Sequence, residues 1–319
     1  MIIHAMSSNP TKMARAKARA RQGTLSEGVV ADRTRKRYNE QIRIFFEFIK
    51  NNDMAIGNNT ELDIATCALI EQYWQEGESK GDCHCLYASV RDHFIHRSPL
   101  LHGAKRLMRA WDKRELSAKA WPLTAPMMRG VAGTLARLGH RDCGIGVVLM
   151  FHCLLRTGEL LALRCGQISL DAGGCGGVIV LRETKTGQRL NVVESVTIEC
   201  GIVATLVSEL LRGKAPGDKF ISASSWDFRA HYRRAVKILG LDDQLYTPYS
   251  CRRGGATYDF KWHGKMEKTL IRGRWASSRS ARIYITEGLA VIGEQHLSAK
   301  QQGIFKEAER HLQLRRQDR

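Results

Sequence analysis

One short run of strand-forming residues in an otherwise helical sequence most constrains the fold of this chain. Residues 173–177, Gly-Gly-Cys-Gly-Gly, lead into the apolar run 178–181, and the turn Thr186-Gly187 is followed by residues 190–193. Branched apolar residues on both sides of a glycine-containing turn predict a strand, a turn and a second strand. Elsewhere the apolar residues recur mostly at helical spacing. The sequence therefore predicts a mainly α-helical protein with a small β-hairpin or sheet.

Helical periodicity divides the chain into an arm and two domains. Residues 1–31 carry spaced basic residues, among them Lys12 and Arg15, with little apolar periodicity, which predicts a flexible basic arm. Residues 32–118 predict a small all-helical domain, and Trp121-Pro122 is a candidate linker to a second domain over 122–319, which holds the hairpin and ends in a helical tail. The first helix predicted for this domain begins at Asp32. Three further predicted helices cover about 61–76, 82–97 and 103–118.

The charge of the chain indicates a polyanionic partner. Its 319 residues include 50 lysines and arginines against 32 aspartates and glutamates, a net charge of +18. The longest apolar stretch, 147–155, is short and interrupted by His152, and the N-terminus lacks the apolar segment of a secretion signal. We therefore expect an intracellular protein that binds a polyanion and no membrane, located in the nucleus of a eukaryote or in the cytoplasm and nucleoid of a bacterium.

The nine cysteines predict reduced thiols, because the count is odd and no paired Cys-x-x-Cys spacing occurs. Cys83, Cys85, His93 and His96 form one cluster in the sequence that could hold zinc. Its spacing matches no standard zinc finger, and residues 82–97 also have the pattern of a single packed helix, which is the favoured interpretation.

Four separated stretches carry the candidate chemistry. Taken alone, each has an ordinary explanation: Arg156 and Glu159 are spaced as a helical ion pair, and Thr184–Gly187 is a common hairpin turn. The stretches are residues 155–164 (Leu-Arg-Thr-Gly-Glu-Leu-Leu-Ala-Leu-Arg), 184–187 (Thr-Lys-Thr-Gly), 247–257 (Thr-Pro-Tyr-Ser-Cys-Arg-Arg-Gly-Gly-Ala-Thr), and 273–275 (Gly-Arg-Trp) with a tyrosine nine residues after the tryptophan. Taken in order, they resemble the tyrosine recombinase (phage integrase) family.

The resemblance implies a role for each matching residue. It makes Arg156 the first catalytic arginine, Lys185 the hairpin lysine, Arg252 the second arginine, Trp275 the histidine-or-tryptophan position and Tyr284 the nucleophile. It also implies a two-domain clamp around double-stranded DNA and a homo-oligomer, a tetramer, on two DNA sites. These motifs lie within residues 150–290, although the resemblance in domain order covers both domains.

One residue departs from the family pattern. Tyr249 occupies the position where the family usually has histidine. A phenol can donate a hydrogen bond to a phosphate oxygen, but with a pKa near ~10 it is a poor base at neutral pH. The run that begins at Arg253 resembles the branch of the family found in eukaryotic mobile elements. We count Tyr249 among the catalytic candidates and predict DNA contacts for Arg33, Arg35, Lys36, Arg37, Arg253 and Arg274.

The chemistry of DNA strand exchange explains why these residue types are needed. Two guanidiniums can hold the non-bridging oxygens of a phosphodiester without losing charge, a lysine can protonate the leaving 5′ oxygen, and cations lower the pKa of a tyrosine nucleophile. A phosphotyrosyl ester conserves the energy of the broken bond, so that the strand can be resealed without ATP. The sequence contains no G-x-x-x-x-G-K-[ST] motif and no two-metal acidic cluster, and we expect no cofactor or metal.

Alternatives to a recombinase remain open from the sequence. A DNA-binding protein derived from such an enzyme would keep the fold and lose turnover, and Tyr249 is the residue that favours this interpretation. A type IB topoisomerase shares the chemistry, but the long stretch after Tyr284 favours a recombinase, which uses that segment to dock on a neighbouring protomer. The apolar residues of 289–316 accordingly predict assembly, with packing on its own domain as the alternative.

Overall fold

The protein is described here by a computed structural model. In the described residues the chain forms fourteen α-helices and one three-stranded sheet, which confirms the prediction of a mainly helical fold with a small sheet. It divides into two compact units, Met1–Ala118 and Lys119–Arg319. None of the described helices has both the length and the apolar character needed to cross a membrane. The described residues are 15, 17, 19–21, 24, 25, 27–115, 119–182, 184, 187 and 192–312.

The first unit is built on four helices: α1 (Asp32–Asn51), α2 (Asn59–Glu76), α3 (Lys80–His93) and α4 (His102–Arg114). Local sequence sets the ends of α2, because Asn58 and Glu61 form a reciprocal capping box and Gly77 adopts the left-handed conformation that ends the helix. Apolar side chains from all four helices meet in one core, which includes Phe45, Leu62, Leu86 and Trp111.

The helix α3 is shorter than predicted. It ends at His93 instead of residue 97, and a 3₁₀ turn with Pro99 follows at Ser98–Leu100, because proline has no backbone N–H for an interior helical bond. Cys83 is buried and its thiol contacts Met108 Sδ at 3.5 Å, as the packed-helix interpretation predicts. No group of three or more His, Cys, Asp or Glu side chains in the described part of the chain is arranged to hold a metal ion.

Only part of the predicted basic arm lies among the described residues. Positions 15, 17, 19 and 20 are helical, and Glu27–Val29 forms a 3₁₀ turn before α1. Lys12 lies outside the described residues.

The second unit has two buried central helices, α5 (Ala125–Arg137) and α6 (Arg141–His152), that pack against each other. The glycine at 144 permits this close packing, because a Cβ there would lie 2.5 Å from the Ala132 carbonyl oxygen. The other helices of the unit are α7 (Thr157–Ala162), α8 (Gly201–Leu211), α9 (Ser225–Ile238), α10 (Tyr249–His263), α11 (Met266–Gly273), α12 (Ser278–Arg282), α13 (Glu287–Gln295) and α14 (Ala299–Arg310).

The sheet is antiparallel, with strand order β1 (Ile168–Leu170), β2 (Gly177–Leu181) and β3 (Glu194–Ile198). The first predicted strand coincides with β2. The second strand was predicted at residues 190–193. This prediction is wrong for residues 192 and 193, which are exposed and precede β3. Register explains the shift, since Leu181 pairs with Glu194 and the buried residues of β3 are Val196 and Ile198. Residues 190 and 191 lie outside the described residues.

The C-terminal tail forms two helices instead of one, and the second packs on its own unit. Phe305 and Ala308 on α14 are buried against α5, where a Cβ at Gly133 would overlap the Ala308 carbonyl oxygen. This is the alternative of packing in cis that the sequence left open. On α13, by contrast, Val291 and Ile292 remain partly exposed.

Candidate active site

The site is built around an irregular turn between α6 and α7. Leu154 in this turn has a φ of 51°, a conformation uncommon for a residue with a side chain. The turn directs the Leu154 carbonyl oxygen toward two guanidiniums, since both Arg252 and Arg274 donate hydrogen bonds to it. The backbone of the turn is thus tied to two later segments of the chain.

Arg156 lies at the start of α7 and is held by Glu159. The Arg156 backbone N–H donates to Glu159 Oε2 at 2.8 Å, and its guanidinium donates to Glu159 Oε1 at 2.5 Å. Arg156 and Glu159 therefore do form the ion pair, three residues apart, that their spacing in the sequence indicates. About a third of the side chain, 30%, is still exposed, so the guanidinium lies at the open side of the site.

Glu159 is a buried carboxylate among guanidiniums, and the sequence analysis treated it only as a partner of Arg156. Arg274 donates to Glu159 Oε2 at 2.8 Å, and Arg252 Nη1 lies 4.0 Å from the same oxygen. Burial alone would raise the pKa of Glu159, but Arg274 and Arg156 outweigh it and the net pKa is lowered. The carboxylate is therefore ionised and positions the arginines.

Arg252 is fully buried under the site. Its guanidinium donates to the carbonyl oxygens of Leu154 and Gly273, the latter at 2.6 Å, while Nε has no hydrogen-bond partner in the part of the chain that the structure describes. The guanidinium carbon lies 4.8 Å from the centre of the Trp275 ring and 5.4 Å from that of Tyr284. Burial lowers the pKa of Arg252, and the charges of nearby arginines lower it further.

Two glycines after this arginine allow α10 to approach its neighbours. A Cβ at Gly254 would lie 1.8 Å from the Leu123 carbonyl oxygen, and one at Gly255 would lie 2.0 Å from the Phe151 carbonyl oxygen. Any side chain at these positions would displace Arg252 from the turn after α6. The Arg-Arg-Gly-Gly run of the sequence is thus explained by backbone contact.

Trp275 forms one wall of the site. Gly273 leaves room for its ring, since a Cβ there would overlap it, and Arg274 adopts a φ of 54° that ends α11 just before the tryptophan. The ring of Trp275 is buried and its centre lies 4.7 Å from that of Tyr284. Its indole N–H makes no hydrogen bond of normal geometry, although it lies close enough to Tyr284 to help lower that residue's pKa.

Tyr284 lies two residues after α12, and its backbone is anchored to α10. The single proton of the Thr257 hydroxyl is shared between the carbonyl oxygen of Arg253 at 3.0 Å and that of Tyr284 at 3.3 Å, and the hydroxyl oxygen accepts from the Thr286 N–H at 3.2 Å. Thr257 therefore fixes the segment that carries the tyrosine, a role that the sequence analysis did not identify. The Tyr284 hydroxyl accepts a hydrogen bond from the Tyr249 hydroxyl at 2.5 Å.

The structure therefore brings five of the six catalytic candidates together: Arg156, Tyr249, Arg252, Trp275 and Tyr284 are joined by contacts or by shared partners. Lys185, the sixth, lies outside the described residues. The nearby hairpin positions that are described are Thr184 and Gly187, and the Gly187 N–H donates to the Thr184 hydroxyl at 2.8 Å.

Two of the predicted DNA contacts lie in the interior of the site. Arg253 is 2% exposed and lies close enough to Tyr249 and Tyr284 for their charges to affect its pKa, which burial lowers. The Arg274 side chain is 6% exposed and bound to Glu159. Neither side chain lies at the surface of the unit, and a contact of either with DNA stays a prediction. Sequence alone cannot separate a buried arginine from an exposed one.

The basic first turn of α1 is partly neutralised within its own unit. Arg35 pairs with Asp92, and Arg37 Nη2 lies 3.1 Å from Asp82 Oδ1. Arg33 and Lys36 are exposed and have no ion pair with any described residue. The turn therefore presents less free positive charge than the sequence predicted.

A stronger basic surface lies on α4, and the sequence analysis missed it. At 3.6 residues per turn, five of its six basic residues fall within about 100° of one another and opposite the buried Ala104, Met108 and Trp111; the sixth, Arg114, lies outside this sector. No acidic residue lies within this face or forms an ion pair with its lysines and arginines among the described residues; Asp112, beside it, pairs with Lys80 at 2.9 Å. We call this face the basic stripe: His102, Lys105, Arg106, Arg109 and Lys113, all exposed.

Comparison with known proteins supports the architecture. No family model and no curated protein matches the sequence. A solved structure of a lambda integrase dimer bound to a COC' core site matches with a TM-score of 0.61 and 14% identity over 86% of this chain and 95% of that one. The Tn1549 transposon integrase in complex with transposon right end DNA matches with a TM-score of 0.58 and 13% identity over 89% and 98%. At this identity the likeness establishes the fold.

Proposed function

We propose that this protein is a tyrosine-type site-specific DNA recombinase or integrase. It cleaves and rejoins DNA through a 3′-phosphotyrosyl intermediate and uses neither metal nor ATP. The observation that carries the proposal is the meeting of Arg156, Arg252, Trp275 and Tyr284, which come from separate parts of the sequence, at one site. The shared fold with integrases that were solved with DNA supports it.

Unsatisfied donors at the site favour a phosphate as ligand. Arg252 Nε, Arg253 Nε and Trp275 Nε1 are buried and have no hydrogen-bond partner among the described residues. A buried donor without a partner costs free energy, of the order of 1–3 kcal/mol. A bound phosphodiester carries the negative charge and the acceptor oxygens that such donors lack, and its charge grows during attack.

The chemical step assigns one task to each group. The Tyr284 oxygen forms a bond to phosphorus while the bond between phosphorus and the 5′ oxygen breaks. Arg156, at the open side, and Arg252, beneath it, stabilise the charge on the non-bridging oxygens. Lys185 protonates the leaving 5′ oxygen, and a later attack by a DNA hydroxyl on the phosphotyrosyl bond reverses these events. Trp275 excludes water from one face of Tyr284.

DNA binding in this proposal uses both units as a clamp. The net charge of +18 favours association with a polyanion, and the basic stripe of α4 supplies exposed cations without competing acids. Arg33 and Lys36 add to it, whereas Arg35 and Arg37 must first leave Asp92 and Asp82. Phosphate contacts of this kind position a protein on a duplex without reading its sequence.

Assembly into a tetramer on two DNA sites is part of the proposal. The buried residues of α14 pack on α5 in the same chain, so they are not free for a neighbour. Val291 and Ile292 on α13 are more suitable contacts. Paired substitution of these two residues by serine should abolish complexes that hold two DNA duplexes and preserve binding to one. Two-duplex complexes of unchanged yield would rule out α13.

One specific observation favours the second candidate, a DNA-binding protein without turnover. Tyr249 replaces the family's histidine, and Arg252 already uses part of its guanidinium on two backbone carbonyl oxygens. Such a protein would bind DNA with the same salt dependence and form no covalent adduct.

A trapping experiment separates the two candidates. The preferred DNA site is first selected from a random duplex pool, and a nick is then placed at each successive position beside it, so that a cleaved strand diffuses away and the adduct accumulates. A recombinase gives a covalent protein–DNA band on a denaturing gel with wild-type protein and none with Tyr284→Phe. If the protein binds the DNA but gives no covalent band with the nick at any position, it is the DNA-binding protein without turnover.

A further inference from the structure

Two tyrosine hydroxyls meet in the active site. Tyr249 is the first residue of α10, Tyr284 follows α12, and their ring centres are 5.7 Å apart. The Tyr249 hydroxyl donates to the Tyr284 hydroxyl over 2.5 Å. Hydrogen bonds from a hydroxyl to an anionic oxygen are typically about 2.5–2.7 Å long, at the short end of the range of about 2.5–3.0 Å for hydroxyl donors in general. The geometry suits a phenol that donates to a phenolate.

The surroundings of the pair place the negative charge on Tyr284. Burial raises the pKa of Tyr284, but the hydrogen bond from Tyr249 and the charge of Arg252 outweigh it, with smaller contributions from Trp275 and Arg156, and the net pKa is lowered. Burial and the bond to Tyr284 both raise the pKa of Tyr249. Tyr249 therefore keeps its proton when Tyr284 has lost its own.

We propose that Tyr249 activates Tyr284 by donating a hydrogen bond to its phenolate. The bond stabilises the ionised form of Tyr284, so that no neighbouring base is needed to remove its proton. The inference rests on the proposed function in one respect, that Tyr284 is the nucleophile. The Tyr284 proton passes to solvent before attack, and the phenolate oxygen then bonds to phosphorus as the 5′ oxygen leaves with a proton from Lys185. Tyr249 keeps its proton throughout and again donates to the phenolate when DNA displaces it.

The other charged groups around the pair do not titrate near neutral pH. Arg252 and Arg253 approach it from α10, and Arg156 approaches from α7. Glu159 is ionised and offsets the charges of Arg156 and Arg274. Burial lowers the pKa of Arg252 to about 10, and guanidiniums stay protonated at neutral pH. These groups therefore keep their charge at neutral pH, and the pKa of Tyr284 lies below its ordinary value.

The test is a titration of the free, full-length protein in which all eight tyrosines carry ¹³C at the ζ carbon. The chemical shift of this carbon reports ionisation of each phenol. We expect one resonance to titrate below the ordinary tyrosine pKa of about 10, and to be missing from Tyr284→Phe. In Tyr249→Phe it should titrate about one pH unit higher or more, since a hydrogen bond to a charged group is lost.

Two further variants sharpen the test. Tyr258→Phe is the matched control, because Tyr258 lies on the same helix, is 40% exposed and contacts Trp262 and Phe151 instead of the site. It should leave the resonance in place. Tyr249→His restores a donor through an imidazole N–H and should return the resonance toward its wild-type position, which a loss of packing alone would not do.

The inference is overturned if Tyr249→Phe leaves the Tyr284 resonance unmoved, or if the low-titrating resonance disappears in Tyr249→Phe and not in Tyr284→Phe. The titration needs no DNA, so it fails independently of the proposed function. An adduct on Tyr284 without the titration shift would reject the inference alone, and the shift without any adduct would reject the recombinase alone.

Discussion

Replacement of Glu159 by glutamine is the perturbation that most directly probes how the site is held together. Its carboxylate accepts from the backbone and guanidinium of Arg156 and from Arg274, and its side chain is 5% exposed. Removing one charge from a buried ion pair costs about 3–5 kcal/mol, because the partner charges stay buried without compensation. The amide of glutamine also directs N–H groups at guanidiniums, so we expect Glu159→Gln to lose at least about 3 kcal/mol of unfolding free energy near neutral pH.

The loss of unfolding free energy in Glu159→Gln should depend on pH, and the direction of this dependence follows from the pKa of Glu159. The folded-state pKa of Glu159 is lowered, so its carboxylate contributes stability above the unfolded pKa of about 4.3 and loses it as the pH falls through the folded pKa. The difference between wild type and Glu159→Gln should therefore be greatest at neutral pH and should shrink below about pH 4.

Urea unfolding at a series of pH values, followed by tryptophan fluorescence, measures this difference. The matched control is Glu209→Gln, whose carboxylate pairs at 2.8 Å with Arg141, its single ion-pair partner among the described residues, and is more exposed. It should cost no more than about 1 kcal/mol. The electrostatic account of the cluster would be refuted if Glu159→Gln lost no more unfolding free energy than the control. It would also be refuted if the loss were large but did not decrease at acidic pH.

Four other variants have defined outcomes. Arg156→Ala should lower the single-turnover cleavage rate by about 10²–10³ with a smaller loss of DNA affinity, and Arg252→Lys should do the same; equal losses in rate and affinity would argue for binding alone. Lys105→Gln with Arg109→Gln should reduce the slope of log affinity against log salt by about 0.9 per lost contact, and should do so on any sequence; an unchanged slope would remove the basic stripe from the interface. Gly255→Ala should lower the melting temperature, since its Cβ has no room beside Phe151; an unchanged melting temperature would contradict the close packing of α10.

The sequence predicted the participants of the site better than their surroundings. The nine-residue spacing from Trp275 to Tyr284 corresponds to a contact between the two rings, because α12 folds the chain back in the interval. For Glu159, the sequence indicated only an ion pair with Arg156. Its contact with Arg274 depends on the end of α11, which no local pattern reports.

Two features could not be derived from local patterns. The third strand begins at Glu194 because it pairs with Leu181, and a pairing register depends on the neighbouring strand and not on the residues near the turn. Burial of Arg253 follows from the packing of α10 and not from the composition of its segment. The basic stripe, in contrast, follows from the 3.6-residue period of α4, but its residues are spaced along the sequence and are less conspicuous than the basic residues clustered within 33–37.

The site of covalent attachment tests the central claim most directly. Trapped adduct is digested with nuclease and trypsin, and the peptide of residues 283–300 is sequenced by mass spectrometry. The account predicts a nucleotide joined through its 3′ phosphate to Tyr284, a free 5′ hydroxyl on the other DNA end, and no adduct in Tyr284→Phe. A phosphotyrosyl bond on any other tyrosine, or DNA ends cut without a covalent intermediate, would contradict it.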